Sequence, residues 1–66
     1  MNIRINGKVE ALTGLSTIDA LVAGKGLSAD RIVVEHNSRI IPRENWPGIV
    51  LRDNDNVEIV SFVGGG

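Results

Sequence analysis

The absence of cysteine is the feature that most constrains this chain, because the chain has only 66 residues. Domains of this size bury a modest share of their surface, and many depend on disulfides or metal sites for stability. Without cysteine, neither a disulfide nor a thiolate metal site can form, so a hydrophobic core must hold the fold. That core must use nearly all of the apolar residues, which make up 42% of the sequence. The sequence therefore predicts one small domain with one core.

The charge balance and the hydropathy pattern argue against two classes of partner. The net charge is -1 at pH 7, whereas binding to phosphate backbones needs an excess of Lys and Arg, so we expect no nucleic acid partner. No apolar run approaches the roughly 20 residues that span a bilayer, so we expect no membrane partner. The first residues alternate in polarity and lack a signal-peptide core. We therefore expect a cytoplasmic protein that is a monomer when free.

Alternation of polar and apolar residues indicates a hairpin at the beginning of the chain. Residues 1–5 alternate with a period of two, which is typical of a half-buried strand. Asn6-Gly7 then predicts a tight turn with positive φ. The alternation resumes over residues 8–12, which we expect to form the return strand.

A short helix is predicted after the hairpin. Ser16 is the expected N-cap, and Asp19 places a negative charge in the first turn. Gly26 suits the residue just beyond the helix, where a left-handed conformation is common. One apolar stripe would pack on the sheet, and it consists of Ile18, Leu21 and Val22.

The rest of the chain contains three further strand patterns. Ile32–His36 is rich in β-branched residues, and Arg39–Ile41 follows as a short return strand that Pro42 ends. Asn54 is the best candidate for positive φ in a later turn. Asn56–Val63 is the longest strand pattern.

This order of elements predicts an α+β fold of the β-grasp, or ubiquitin-like, type. One main helix covers one face of a mixed sheet of four to five strands. The last strand would lie inside the sheet beside the first. We expect the β-grasp domain to span residues 1–63 and a flexible glycine tail to span residues 64–66.

The tail of Gly64, Gly65 and Gly66 is the unusual feature of the sequence. Glycine has no Cβ, so such a tail can enter a narrow channel and lie against a nucleotide. The Gly66 carboxylate is a poor electrophile, but adenylation with ATP would convert it into a mixed anhydride. A persulfide or sulfide could then replace AMP and leave a thiocarboxylate. Since these steps need no catalytic side chain here, we expect a carrier that binds no cofactor or metal; the simpler interpretation is a frayed terminus.

Val60 and Phe62 are candidate docking residues. If Val57 and Ile59 face the helix, Val60 and Phe62 lie on the opposite face of the sheet near the tail. An exposed apolar patch there would suit a partner protein. The alternative is that residues 42–51 fold over this face.

Four other residues have a functional and a structural interpretation. His36 is the only histidine, and without cysteine or a second histidine it is better explained as a partly buried structural residue than as a metal ligand. Asp53 and Asp55 flank a turn, where aspartate is favoured for local hydrogen bonds. Trp46 is either a partner contact or a lid on the core, and the lid is the favoured interpretation.

Several segments of the chain form a pattern by their order and spacing, namely residues 3–7, 16–18, 34–37, 41–46, 51, 53–55, 57–60 and 62–66. Taken together, they resemble the ThiS family of thiamine-biosynthesis sulfur carriers. The resemblance covers almost the whole sequence, and no single segment is diagnostic. Asn54, where glycine is frequent, and His36, where an apolar residue is usual, depart from the pattern.

The resemblance implies a specific role for the tail and specific partners. A ThiF-like adenylating enzyme would use ATP to activate Gly66, a cysteine persulfide would supply sulfur, and thiazole synthase would receive it. A molybdopterin-synthase-type sulfur carrier subunit and a ubiquitin-like protein modifier remain alternatives. A third alternative is a ligand-binding β-grasp module in which the glycines are incidental.

Overall fold

The structure, a computed structural model, describes residues 1–62 of the chain. The predicted tail, Gly64–Gly66, and the predicted domain boundary at Val63 lie outside the described residues. Two short 3₁₀ segments, Ala29–Arg31 and Arg43–Gly48, accompany five strands and one α-helix. These are β1 (Asn2–Ile5), β2 (Lys8–Ala11), α1 (Ile18–Gly24), β3 (Ile32–His36), β4 (Arg39–Ile41) and β5 (Asn56–Ser61).

The five strands form a single mixed sheet in the order β2-β1-β5-β3-β4. The central strand β5 runs parallel to β1, where Arg4 is aligned with Asn56, and antiparallel to β3, where Val34 is aligned with Ile59. The helix α1 packs on one face of this sheet. The predicted α+β β-grasp architecture is therefore confirmed, including the position of the last strand beside the first.

Both hairpins turn through two consecutive residues with positive φ. Asn6 and Gly7 have φ values of 51° and 83°, and Asn37 and Ser38 have values of 49° and 72°. This is the pattern of a type I′ turn, whose twist matches that of the flanking strands. Asn54 also has a positive φ, of 70°, as the sequence predicted.

The helix begins one residue later than the expected cap. Thr17, not Ser16, is the N-cap, and its Oγ1 accepts a hydrogen bond from the Ala20 amide at 3.1 Å. The carbonyl of Ser16 instead accepts a hydrogen bond from the Leu51 amide at 2.7 Å. The predicted end was correct, because Gly26 follows the helix with a φ of 67°.

The core lies between α1 and the sheet, with Trp46 at its edge. Trp46 is only 2% exposed, and its indole Nε1 donates a hydrogen bond to the Ile41 carbonyl at 2.9 Å. Its 3₁₀ segment packs against α1, so the favoured lid interpretation is confirmed. The core residues are Ile3, Ile5, Ile18, Leu21, Val22, Ile32, Val34, Trp46, Leu51, Val57 and Ile59.

Candidate functional site

The end of β5 fixes where the C-terminal tail leaves the domain. On one side, Ser61 is aligned with Ile32 of β3, and the Phe62 amide donates a hydrogen bond to the Arg31 carbonyl at 2.7 Å. Phe62 is the last described residue and precedes Gly66 by four positions. The last described residues before the tail therefore continue the central strand, which is paired with β1 on one side and with β3 on the other.

The other side of β5 is held by a side chain that the sequence interpretation missed. Asn6 Oδ1 accepts a hydrogen bond from the Ile59 amide at 2.7 Å, and Asn6 Nδ2 donates one to the Ile59 carbonyl at 3.1 Å. Asn-Gly was interpreted only as a turn, which accounts for the backbone of Asn6 and leaves its amide group without a role. A turn asparagine whose side-chain amide has no assigned partner is the signal that could have pointed to this contact.

The face of the sheet opposite α1 carries both candidate docking residues. Val60 is 58% exposed and Phe62 is 52% exposed, whereas Val57 and Ile59 are buried beneath the helix. The predicted alternation along β5 is therefore confirmed, and Val33 lies directly opposite Val60 on β3.

The alternative prediction, that residues 42–51 fold over this face, is wrong. Residues 42–51 pack on the helix side, because the Ile49 carbonyl accepts a hydrogen bond from the Ile18 amide at 3.1 Å and Val50 bridges to Thr17. Trp46 and Leu51 from the same segment are buried in the core. No part of this segment is therefore available to shield Val60.

Two carboxylates lie on the same open face, farther from the tail than Val60 along β5 and β3. Glu58 of β5 is aligned with Glu35 of β3, so the two side chains point to the same side of the sheet. Like charges in directly opposed positions are destabilising. Among residues 1–62, neither glutamate forms a salt bridge. The open face thus combines an apolar area near the tail with an acidic area farther from it.

At the opposite end of β5, Asp55 forms a buried hydrogen-bond network. Asp55 Oδ2 lies 2.8 Å from His36 Nε2 and also accepts a hydrogen bond from the Arg52 amide at 2.8 Å. Asn37 Nδ2 donates to Asp55 Oδ1 at 3.1 Å. His36 is therefore a partly buried structural residue, as expected, but Asp55 does more than shape a turn because it joins β3 to the start of β5.

The environment of Asp55 holds its carboxyl in the ionised form. Burial raises the pKa of Asp55, but hydrogen bonds from His36, the Arg52 amide and Asn37 together lower it, and the net pKa lies below its usual range. Asp53, by contrast, accepts a single hydrogen bond from the Asn2 amide at 2.7 Å. The two aspartates therefore have separate structural roles and do not form a catalytic pair.

Two features are absent from the part of the chain that the structure describes. Within residues 1–62, no group of three or more His, Asp or Glu side chains is placed to hold a metal ion. In the same part of the chain, no helix has the length and apolar character needed to cross a membrane. The chemically distinctive feature remains the position from which β5 leads into the tail.

Comparisons with known proteins agree with this geometry. A family model described as the ThiS family matches residues 3–66. The sulfur carrier protein ThiS of Bacillus subtilis is 40% identical over 65 residues, which are 97% of this chain and 98% of that protein. The crystal structure of a thiamine biosynthesis protein (ThiS) from Geobacter metallireducens superimposes with a TM-score of 0.85 at 30% identity, and all of both chains is covered.

Two longer relatives contain a segment that matches the whole chain. The thiazole synthases of Magnetococcus marinus and Paramagnetospirillum magneticum are 32% and 33% identical to it over 66 residues. The chain spans only 20% of the length of each of these proteins. The family match over residues 3–66 and the similarity to the full length of the Bacillus carrier place this chain in the ThiS family.

Proposed function

We propose that this chain is a sulfur carrier for the thiazole moiety of thiamine, and that it is a co-substrate of other enzymes rather than an enzyme. Its membership of the ThiS family supports this role. The observation that carries the proposal is that β5, the central strand, runs up to the start of the tail sequence beside an exposed apolar face. A rigid domain with a reactive terminus has the parts that a carrier needs.

The reactive group is the carboxylate of Gly66, which Gly64 and Gly65 precede in the sequence. The carboxylate attacks the α-phosphorus of ATP, which forms an acyl adenylate and releases pyrophosphate. The terminal sulfur of a cysteine persulfide then attacks the acyl carbon and expels AMP, which forms an acyl disulfide. A second thiol attacks the cysteine sulfur of that bond, so a protein disulfide forms and the thiocarboxylate is released on Gly66.

The domain and the tail have different roles in this proposed chemistry. Besides the Gly66 carboxylate, the steps above use groups of ATP, the sulfur donor and the partner enzyme, and none uses a side chain of residues 1–62. ATP is therefore bound by the activating partner, and no cofactor is bound here. Glycines at positions 64–66 suit a channel too narrow for a Cβ atom. The proposed boundary lies after Val63, with the domain before it and the tail beyond it.

The ThiF-like adenylating enzyme is the proposed partner of the open face. Val60 and Phe62 expose more than half of their surface immediately before the tail. Docking there would bury apolar area and direct the tail towards the nucleotide at the same time. The adjacent Glu35 and Glu58 would favour a partner surface that carries positive charge.

Thiazole synthase is the proposed acceptor of the sulfur. Two thiazole synthases contain a segment that matches all of this chain in the same polypeptide. Joining two modules in one chain raises the effective concentration of one at the other, which suits a carrier and the enzyme it supplies. Cytoplasmic location, where ATP is available, is part of the same proposal.

The proposal is tested by pyrophosphate exchange into ATP with a ThiF-like adenylating enzyme. The full chain should support exchange, and a chain that lacks Gly65 and Gly66 should support none while remaining folded. Equal exchange with both chains would overturn the assignment of Gly66. A ligand-binding module with incidental glycines predicts that equal result.

Two other carrier roles are separated by phenotype and by products. Deletion of the gene should create a requirement for thiamine, whereas loss of molybdoenzyme activity would indicate the molybdopterin-synthase type of carrier. A ubiquitin-like modifier would form isopeptide bonds with lysines of other proteins, and an immunoblot for the chain would detect these conjugates.

A further inference from the structure

The first strand leaves the sheet before the central strand ends. The Asn6 amide donates the last backbone hydrogen bond from this strand, to the Val57 carbonyl at 2.9 Å. At that point the type I′ turn through Asn6 and Gly7 carries the chain away towards β2. β5 continues to Ser61, so its last residues extend beyond the backbone of β1.

The side chain of Asn6 occupies the place where a longer β1 would bind. Its Oδ1 accepts from the Ile59 amide at 2.7 Å, and its Nδ2 donates to the Ile59 carbonyl at 3.1 Å. One primary amide thus satisfies the donor and the acceptor of one backbone residue, as a neighbouring strand would. Only this orientation pairs donors with acceptors at both positions.

This contact comes from the residue that follows β1, and among residues 1–62 it is the last one on that side of β5 before the strand ends. Strand ends open locally at low free-energy cost because few contacts hold them. Ile59 lies one residue before Val60 and seven before Gly66. Beyond Ile59, within the described part of the chain, only the β3 side holds β5, through Ser61 aligned with Ile32 and the Phe62 amide bound to Arg31, so loosening at Ile59 weakens the hold on the docking residues.

We propose that Asn6 is a positioning residue for activation of the tail, which it serves by locking Ile59 to the end of β1. The inference rests on the proposed function, since it concerns how the tail is presented to the adenylating enzyme. With Ile59 held in register, the end of β5 presents Val60 and Phe62 in one arrangement. Without the lock, only a fraction of the molecules have that arrangement, and the apparent affinity falls by that fraction.

The fold supplies a matched control at the other end of the same strand. Asn37 also occupies the first central position of a type I′ turn, with a φ of 49°. Its Oδ1 accepts from the Asn56 amide at 2.9 Å, and its Nδ2 donates to Asp55 Oδ1 at 3.1 Å. Both asparagines therefore make two hydrogen bonds to β5 or the residue before it, but only Asn6 does so near the tail.

Glycine is the cleanest replacement at both positions, because it tolerates positive φ and removes only the side-chain contacts. In Asn6→Gly, hydrogen exchange at the Ile59 amide should accelerate by about tenfold, which corresponds to loss of one typical hydrogen bond. The Asn37 amide, which donates to the Asn56 carbonyl at the other end of β5, should change by less than about twofold and serves as the internal reference. In Asn37→Gly, the Ile59 amide should keep its wild-type protection.

Steady-state adenylation then separates positioning from a general loss of stability. With the ThiF-like adenylating enzyme and ATP, Asn6→Gly should raise the KM for the carrier by about three- to tenfold and leave kcat within about twofold. Asn37→Gly, assayed where both variants are folded, should leave KM near the wild-type value. Equal KM values for the two variants, or an unchanged exchange rate at Ile59, would overturn the inference.

An isosteric variant keeps the test decisive if Asn6→Gly does not fold. Asn6→Asp keeps the acceptor for the Ile59 amide but turns a carboxylate oxygen towards the Ile59 carbonyl, where a donor is needed. It should raise the KM in the same direction, and a wild-type KM would contradict the inference. If the wild-type chain were not adenylated at all, the proposed function would fail, whereas the exchange measurements would still decide whether Asn6 locks β5.

Discussion

Replacing Val60 by alanine should weaken docking on the adenylating enzyme without unfolding the domain. The change removes two methyl groups, which are worth about 0.8 kcal/mol each when they pass from water to a fully buried site. Because Val60 is 58% exposed, more than half of that free energy remains to be gained when a partner covers it. This corresponds to about 1 kcal/mol, and a cavity at the interface would raise it to about 2 kcal/mol.

The measured quantity is the KM of the carrier in steady-state adenylation. A loss of about 1 to 2 kcal/mol corresponds to a KM roughly five to thirty times higher. The value of kcat should change little, because Val60 contacts the partner and not the reacting carboxylate.

Val9 provides the control for this experiment. Val9 is 60% exposed and is aligned with Arg4 on β1, so it shares the open face but lies on the edge strand β2. Val9→Ala removes the same two methyl groups at nearly the same exposure, and it should leave the KM unchanged. Equal KM values for Val60→Ala and Val9→Ala would refute the docking surface.

Three further predictions concern docking, backbone strain and pH. Phe62→Asp should weaken binding to the adenylating enzyme by at least about tenfold, because it places an unpaired charge in an apolar contact, and circular dichroism should show that the domain stays folded. Ser38→Gly should raise the free energy of unfolding by about 0.5 to 1 kcal/mol in a urea titration, because Ser38 has a φ of 72° and glycine favours that conformation. Asp55→Asn should lower the free energy of unfolding by about 1 to 2 kcal/mol at neutral pH. The pKa of Asp55 is lower in the folded state than in the unfolded state. The contribution of Asp55 to the free energy of unfolding is therefore present above the unfolded-state pKa and is lost as the pH falls through the folded-state pKa. In Asp55→Asn this part of the acid dependence should disappear.

The architecture could be predicted because the strong local signals agree with one another. Period-two alternation, Asn6-Gly7 and the apolar stripe of α1 each specify an element, and one helix over one sheet is the arrangement that buries them all. The exposure of Val60 followed from the same alternation, since neighbouring residues of β5 must face opposite sides.

The side-chain hydrogen bonds between distant segments could not be predicted. The Asn6 contact with Ile59 joins residues that are 53 positions apart, and the pair of His36 and Asp55 joins residues 19 positions apart. Such contacts depend on the register between strands, which local composition does not specify. The prediction of Ser16 as the N-cap was wrong for the same reason, because a backbone hydrogen bond from the Leu51 amide holds the Ser16 carbonyl and the helix starts one residue later.

The central claim is that the C-terminal carboxylate of Gly66 becomes a thiocarboxylate, and intact mass spectrometry tests it most directly. The chain is incubated with the adenylating enzyme, ATP and a persulfide donor, and ATP is omitted in the control. The account predicts a mass increase equal to the difference between a sulfur atom and an oxygen atom, only with ATP and only when Gly66 is present. An unchanged mass in a mixture that converts another carrier of the family would contradict it.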